Sequence, residues 1–114
     1  MDMNKRAMGS EGEERAAAHL ESLGYRIIKR NFRSRAAEID IVAEREGCLF
    51  FVEVKMQRNA SYGGAAAHVT RAKRYKIARQ AERYLVQSGW RGPCGFLVVA
   101  IEGKKIEVIE DFLR

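Results

Sequence analysis

Residues 38–56 read EIDIVAEREGCLFFVEVKM, and the order of apolar and charged residues in this segment sets the architecture of the chain. Two apolar runs with alternating side-chain direction flank a short polar segment, which predicts two strands joined by a hairpin turn. In the second run, Leu49 and Phe51 face the same way as Glu53 and Lys55, so a core-facing row continues with two charges. Because burying a charge costs free energy unless it is paired, the same segment also predicts a site.

Apolar spacing and turn residues on either side of this segment predict the remaining elements. A long helix between the third and fourth strands allows those strands to pair in parallel, while the first three strands form an antiparallel meander. We expect one α/β domain over residues 1–114, with a mixed central sheet flanked by helices (an αβββαβ core plus a final strand) and a flexible N-terminus over residues 1–9. The predicted elements are a helix over 12–23, a strand over 25–29, an arginine-rich turn over 30–37, strands over 38–43 and 48–56 joined by a turn over 44–47, a helix over 65–87, and strands over 95–101 and 104–110.

Length and composition fit a single globular domain, since the 114 residues are 46% hydrophobic and 32% charged. No apolar run approaches the roughly 18 residues of a membrane span, and no apolar stretch follows the basic N-terminus, so we expect a cytoplasmic protein without a membrane partner. Cys48 and Cys94 are too few for a zinc tetrahedron, and their apolar neighbours favour two reduced thiols in the core.

The net charge of +6 is concentrated in two segments. Residues 25–35 contain five basic residues and no acid, residues 68–83 contain six basic residues and one acid, and the rest of the chain is net acidic. A solvated helix face explains the second segment equally well when it is taken alone, but two such segments in one small domain favour contact with a phosphate backbone. We predict nucleic-acid contacts, with DNA as the expected partner, for Arg30, Arg33, Gln57, Arg58, Arg71, Lys73, Arg74 and Lys76.

Asp40 lies on the strand before Glu53, and a short hairpin brings the two carboxylates side by side. Adjacent carboxylates repel each other unless a cation shares them, so an acid pair beside Lys55 indicates a divalent metal with oxygen ligands, Mg²⁺ or Mn²⁺. We expect Asp40, Glu53 and the main-chain carbonyl of Val54 to hold the metal, and Lys55 to position a water or stabilise charge on a phosphate. This set suits metal-assisted hydrolysis of a phosphodiester. The alternative is a buried, salt-bridged trio without a metal.

Two further charged residues lie on inward faces of the predicted helices. At about 100° per residue, Glu13 points in the same direction as the apolar residues of the first helix. The helix dipole alone also favours a carboxylate in a first turn. Lys73 falls within the inward stripe of the second helix, where it either contacts a phosphate or extends its ammonium to solvent.

Asp40, then Glu53 thirteen positions later, then Lys55 resemble the PD-(D/E)xK motif that names a superfamily of metal-dependent nucleases. Glu13 is placed like the helix glutamate of archaeal Holliday-junction resolvases. Nearly the whole chain is similar to the YraN family of uncharacterised bacterial proteins, through GEE, LGY, KRNFR, EIDIVA and FVEVK. The resemblance implies a restriction-endonuclease-like fold with Glu13, Asp40, Glu53 and Lys55 as catalytic residues. The chain departs from the pattern around these positions, at Ala37, Ile39, Met56, Gln57 and Leu97.

Three functions are compatible with these patterns. The first is a metal-dependent DNA endonuclease, with branched or Holliday-junction DNA among its substrates. The second is a module of the same fold that binds nucleic acid without cutting it, and the third is a protein-interaction domain whose binding is insensitive to salt. Because junction resolvases work as dimers, we also consider a homodimer.

Overall fold

The computed structural model describes residues 3–57 and 71–110. Within these ranges the predicted order of one helix, three strands, one helix and two strands is confirmed. The elements are α1 (Met3–Ser22), β1 (Arg26–Arg33), β2 (Glu38–Arg45), β3 (Cys48–Gln57), α2 (Arg71–Ser88), β4 (Cys94–Glu102) and β5 (Lys105–Glu110).

The strands form one mixed sheet in the order β1-β2-β3-β4-β5. β1, β2 and β3 pair antiparallel, β3 and β4 pair parallel, and β4 and β5 pair antiparallel. Only the parallel pair needs a long crossover, and α2 lies in that connection. The five-stranded sheet with its two helices confirms the expected fold class and is consistent with a restriction-endonuclease-like fold.

The β2–β3 hairpin fixes the register of the central strands. Its two turn residues, Glu46 and Gly47, have φ values of 53° and 78°, the left-handed geometry that matches the twist of a tight hairpin. Pairing runs from Arg45 opposite Cys48 to Ile41 opposite Val52. One further step along this register places Asp40 across from Glu53.

Each face of the sheet has its own apolar core. α1 covers one face through Ala16 and Leu20, and it runs so close to the sheet that a Cβ on Gly12 would lie 3.2 Å from the sulfur of Met56. α2 covers the other face through Ile77 and Ala81. Parallel strands at the centre of the sheet therefore have apolar side chains on both sides, as the continuous apolar run in β4 predicts.

Two predicted boundaries are wrong by several residues, and the predicted turn over 44–47 is shorter, because β2 continues to Arg45. The first strand continues to Arg33, so residues 30–33 belong to β1 rather than to a turn, because Phe32 packs into the core beneath α2. The first helix begins at Met3 rather than at residue 12. Residues 65–70 of the predicted second helix lie outside the described residues, as does Arg58. The flexibility of residues 1–9 stays a prediction.

The two cysteines lie on neighbouring strands of the sheet. Both thiols are reduced, but Cys48 is half-buried and Cys94 is exposed, so the predicted core position is wrong for Cys94, which lies at the first position of β4. Neither helix of the described ranges combines the length and the apolar character needed to cross a membrane.

Leu20 is fully buried between α1 and the sheet, whereas Leu23 just beyond α1 is 44% exposed. We expect Leu20→Ala to lower the free energy of unfolding by about 2–5 kcal/mol, because it leaves a cavity in the core. The matched change Leu23→Ala should cost less than about 1 kcal/mol. Urea unfolding of both variants measures the difference. Equal losses would contradict the assignment of the α1 face.

Candidate active site

The predicted acid pair lies on the face of the sheet that α2 covers. Glu53 follows Phe51 of that apolar core by two residues, and Asp40 precedes Val42 of the same core by two. The main-chain N–H of Val54 donates a hydrogen bond to Oδ2 of Asp40 at 2.8 Å. The Asp40 carboxylate therefore bridges β2 and β3 just beyond the last main-chain pair of the hairpin.

Glu53 is a buried carboxylate with two ammonium partners. Its exposed fraction is only 4%. Nζ of Lys55, from the same strand, lies 3.4 Å from Oε1, and Nζ of Lys73, from α2, lies 2.7 Å from the same oxygen. The buried charge is thus paired, as its burial demands, and one of the two partners comes from another layer of the fold.

Burial shifts the pKa values of this group. Desolvation, and next the negative charge of Glu53, raise the pKa of Asp40 to about 8, although the N–H of Val54 acts in the opposite direction. Burial and the neighbouring Lys73 lower the pKa of Lys55. Burial is the largest single influence on Lys73 and acts to lower its pKa, but the contacts with Glu53 and Lys55 and the charge of Asp40 together raise the pKa. At neutral pH, Asp40 is therefore largely protonated in the metal-free protein.

Three carboxylates meet at the beginning of β2. Glu13, Glu38 and Asp40 each offer a carboxylate oxygen, and these oxygens lie within 4.8 Å of one another. Glu13 comes from α1, so the predicted inward direction of this side chain leads to Asp40, the predicted metal ligand. Glu38 was not among the predicted site residues, although it shares the direction of Asp40 by strand alternation. Hard carboxylate oxygens at this spacing fit Mg²⁺ or Mn²⁺.

Asn31 joins this acidic group from β1. The pairs on either side of it place Asn31 across from Asp40, and its φ of 57° is a left-handed conformation that Asn tolerates better than most residues. With its amide nitrogen toward the acids, Asn31 donates to Oε1 of Glu38 at 2.7 Å and to Oε1 and Oε2 of Glu13 at 3.0 and 3.2 Å. It therefore ties α1 to β2 through their carboxylates.

The basic residues among the predicted nucleic-acid contacts divide into two groups within the described ranges. Arg30 and Arg33 are engaged with acids: Arg30 pairs with Glu13 at 3.5 Å and with Glu14, and Arg33 pairs with Glu38 at 3.2 Å. The second group lies on the first turns of α2, where Lys73 is half-buried at Glu53 and three residues are exposed, namely Arg71, Arg74 and Lys76. Gln57 is half-buried at the end of β3.

A cavity of about 310 Å³ adjoins the acid and lysine group. The turn between β1 and β2 forms one wall and the start of α2 forms the other. Glu38 and Lys73 line the cavity and belong to the site, and Lys76 adds a second ammonium. Its remaining lining residues are Ala36, Ala37, Ala72 and Ile77.

Fold and site together define a small mixed α/β protein in which β2 and β3 carry a buried group of acids and lysines. The chain belongs to the uncharacterised protein family UPF0102, whose profile matches residues 12–101, and this confirms the predicted YraN-type family. A UPF0102 protein of Methylibium petroleiphilum is 44% identical over 108 residues, covering 89% of this chain and 88% of the relative. One from Symbiobacterium thermophilum is 47% identical over 98 residues, covering 85% and 83%.

The raised pKa of Asp40 predicts how the stability of the metal-free protein depends on pH. The folded state keeps the Asp40 proton up to about pH 8, whereas the unfolded state loses it near the ordinary value of 3.8. Between these two pH values the folded state binds more protons than the unfolded state. The contribution of Asp40 to the free energy of unfolding therefore falls as pH rises, by on the order of 1 kcal/mol per pH unit.

Asp40→Asn removes this titration and still accepts the Val54 hydrogen bond. We expect its free energy of unfolding in EDTA, measured between pH 5 and 8, to fall less steeply with pH than that of the wild type. Parallel pH profiles for the two proteins would show that Asp40 is not protonated in the fold.

The contacts of Asn31 predict a second effect on the metal-free protein. Asn31→Gly keeps the left-handed backbone and removes the amide, so we expect a loss of about 1–3 kcal/mol in the free energy of unfolding. Asn31→Asp has the same size but places a fourth acidic side chain beside Glu13, Glu38 and Asp40, so the loss of stability should be larger. Urea unfolding in EDTA measures both. An Asn31→Asp protein as stable as the wild type would contradict the donor role of the amide.

Proposed function

We propose that this protein is a metal-dependent nuclease that hydrolyses phosphodiester bonds in DNA. The observation that carries the proposal is the convergence of Asp40, Glu53 and Lys55 on one face of the two central strands, next to Glu13 from α1. The likeness of this set to the PD-(D/E)xK motif supports the same reaction. Buried ion pairs add little to stability on their own, so a functional reason for keeping this group is favoured over a purely structural one.

Asp40, Glu53 and the main-chain carbonyl of Val54 are the proposed ligands of Mg²⁺ or Mn²⁺, and Glu13 and Glu38 lie beside Asp40. A divalent cation held by these oxygens would lower the pKa of a water molecule and would place positive charge next to a phosphate. Because such ligation requires the carboxylate form, Asp40 would have to lose its proton for an ion to be held there.

Lys55 is proposed to act on the substrate side of the site. Its ammonium is half-buried beside Glu53 and lies on the face that α2 covers. A donor held in this way hydrogen-bonds a water or a phosphate oxygen without having to be reoriented during the reaction. The lowered pKa of Lys55 also makes it readier than an ordinary lysine to give up its proton.

The exposed basic residues of α2 are the proposed contacts to the phosphate backbone. Arg71, Arg74 and Lys76 are exposed on the helix that covers the site. Arg30 and Arg33 are paired with acids, so they are weaker candidates for direct contact than their sequence suggests.

We place this activity in the cytoplasm, where thiols such as Cys48 and Cys94 stay reduced.

Cleavage of a panel of labelled substrates tests the proposal: duplex, single-stranded, flap and four-way-junction DNA, with RNA for comparison, in Mg²⁺ or Mn²⁺. We expect metal-dependent cutting that falls by at least about 100-fold in Lys55→Ala, because a preorganised charge is lost. Lys104→Ala, which removes an exposed lysine in the β4–β5 turn, is the matched control and should cut like the wild type.

Cutting that survives in Lys55→Ala would overturn the role of Lys55.

The alternative function is a module that binds nucleic acid without cutting it. This alternative is favoured by the two lysines that already pair with Glu53. It predicts no cutting and binding that weakens steeply with salt. If junctions are the preferred substrate, a homodimer is expected, and sedimentation of the active protein measures it.

A further inference from the structure

We infer that Lys73 is an exchangeable counter-ion of the active site, which leaves Glu53 when a divalent metal binds and then contacts a phosphate of the substrate. This inference rests on the proposed nuclease function and adds to it a coupling between metal binding and nucleic-acid binding.

Lys73 is the closer of the two lysines that pair with Glu53. Its Nζ lies 2.7 Å from Oε1 of Glu53, whereas Nζ of Lys55 lies 3.4 Å from the same atom. Glu53 is 4% exposed and is a proposed metal ligand. A divalent cation at this carboxylate would be repelled by two ammonium groups. The closer of them, that of Lys73, is within hydrogen-bond distance of Oε1. One lysine therefore has to withdraw for the ion to bind well.

Lys73 is better placed to withdraw than Lys55. Its side chain is 38% exposed, compared with 21% for Lys55. It projects from the first turn of α2, whereas Lys55 is held within the central strand β3. A long, flexible side chain at a helix start can change direction without any movement of the backbone.

The cavity beside the site offers a destination for this ammonium. Lys73 already lines the cavity together with Lys76, and Arg71 and Arg74 are exposed on the same part of α2. A phosphate at the cavity mouth can pair with the displaced ammonium and replace the partner it lost at Glu53. Metal binding thus strengthens phosphate binding, and by thermodynamic reciprocity phosphate binding strengthens metal binding.

Calorimetric titration with Mn²⁺ alone is the first test, because it measures binding and not turnover. We expect Lys73→Met to bind Mn²⁺ at least about fivefold more tightly than the wild type, since no ammonium has to be displaced. Arg79→Met removes one exposed positive charge from the same helix without removing a partner of Glu53, and it should bind Mn²⁺ like the wild type. Lys73→Arg keeps the charge and should not gain affinity.

The second test repeats the titration with a short phosphorothioate DNA duplex, which resists hydrolysis. The duplex should tighten Mn²⁺ binding to the wild type by a factor typical of coupled sites, about fivefold or more. In Lys73→Met this factor should shrink toward one. Thermal unfolding checks that Lys73→Met is folded. If Lys73→Met is not folded, Lys73→Gln, which keeps a polar side chain, takes its place.

The outcomes separate the two proposals. If the wild type binds Mn²⁺ and Lys73→Met binds it no more tightly than Arg79→Met does, the counter-ion role is wrong while the nuclease proposal stands. If the duplex tightens Mn²⁺ binding equally in both proteins, the coupling through Lys73 is wrong. If neither protein binds Mn²⁺, with or without the duplex, both proposals fail.

Discussion

A carboxylate buried at the centre of the sheet is the constraint around which the described structure is arranged. Glu53 occupies a core-facing position of β3, the middle strand of the sheet, and its burial is tolerable only because two lysines approach it. One of these lysines comes from α2, so the helix that completes the apolar layer also completes the charge balance. Packing and electrostatics of this face are therefore not independent, and a change at Glu53 acts on both.

The opposite layer contributes by a different route. α1 packs tightly on its own face of the sheet and sends Glu13 to the start of β2, where Glu38 and Asp40 are found. These acids are held together by a donor, Asn31, and by the arginines of β1. The site thus has an acidic part supported by α1 and β1 and a basic part supported by α2. Asp40 lies between the two parts.

Local rules predict the centre of the site well, because strand alternation and a short hairpin set the directions and register of Asp40, Glu53 and Lys55. They fail for β1, where a bulge between Ile27 and Lys29 and the left-handed Asn31 interrupt simple alternation. For that reason Asn31 was not among the predicted site residues. The partner of Lys73 also could not be read from the sequence, because it depends on how α2 packs across the sheet.

The arginines of β1 and the basic residues of α2 differ in what they present to solvent. Arg30 and Arg33 have carboxylate partners, whereas Arg71, Arg74 and Lys76 are exposed. Of these two groups, the basic residues of α2 therefore present the more accessible positive charge. Charge on one side of a protein turns it during a diffusive encounter, so the polyanion of the proposed function would meet α2 first. The fold would then set the direction from which that partner approaches.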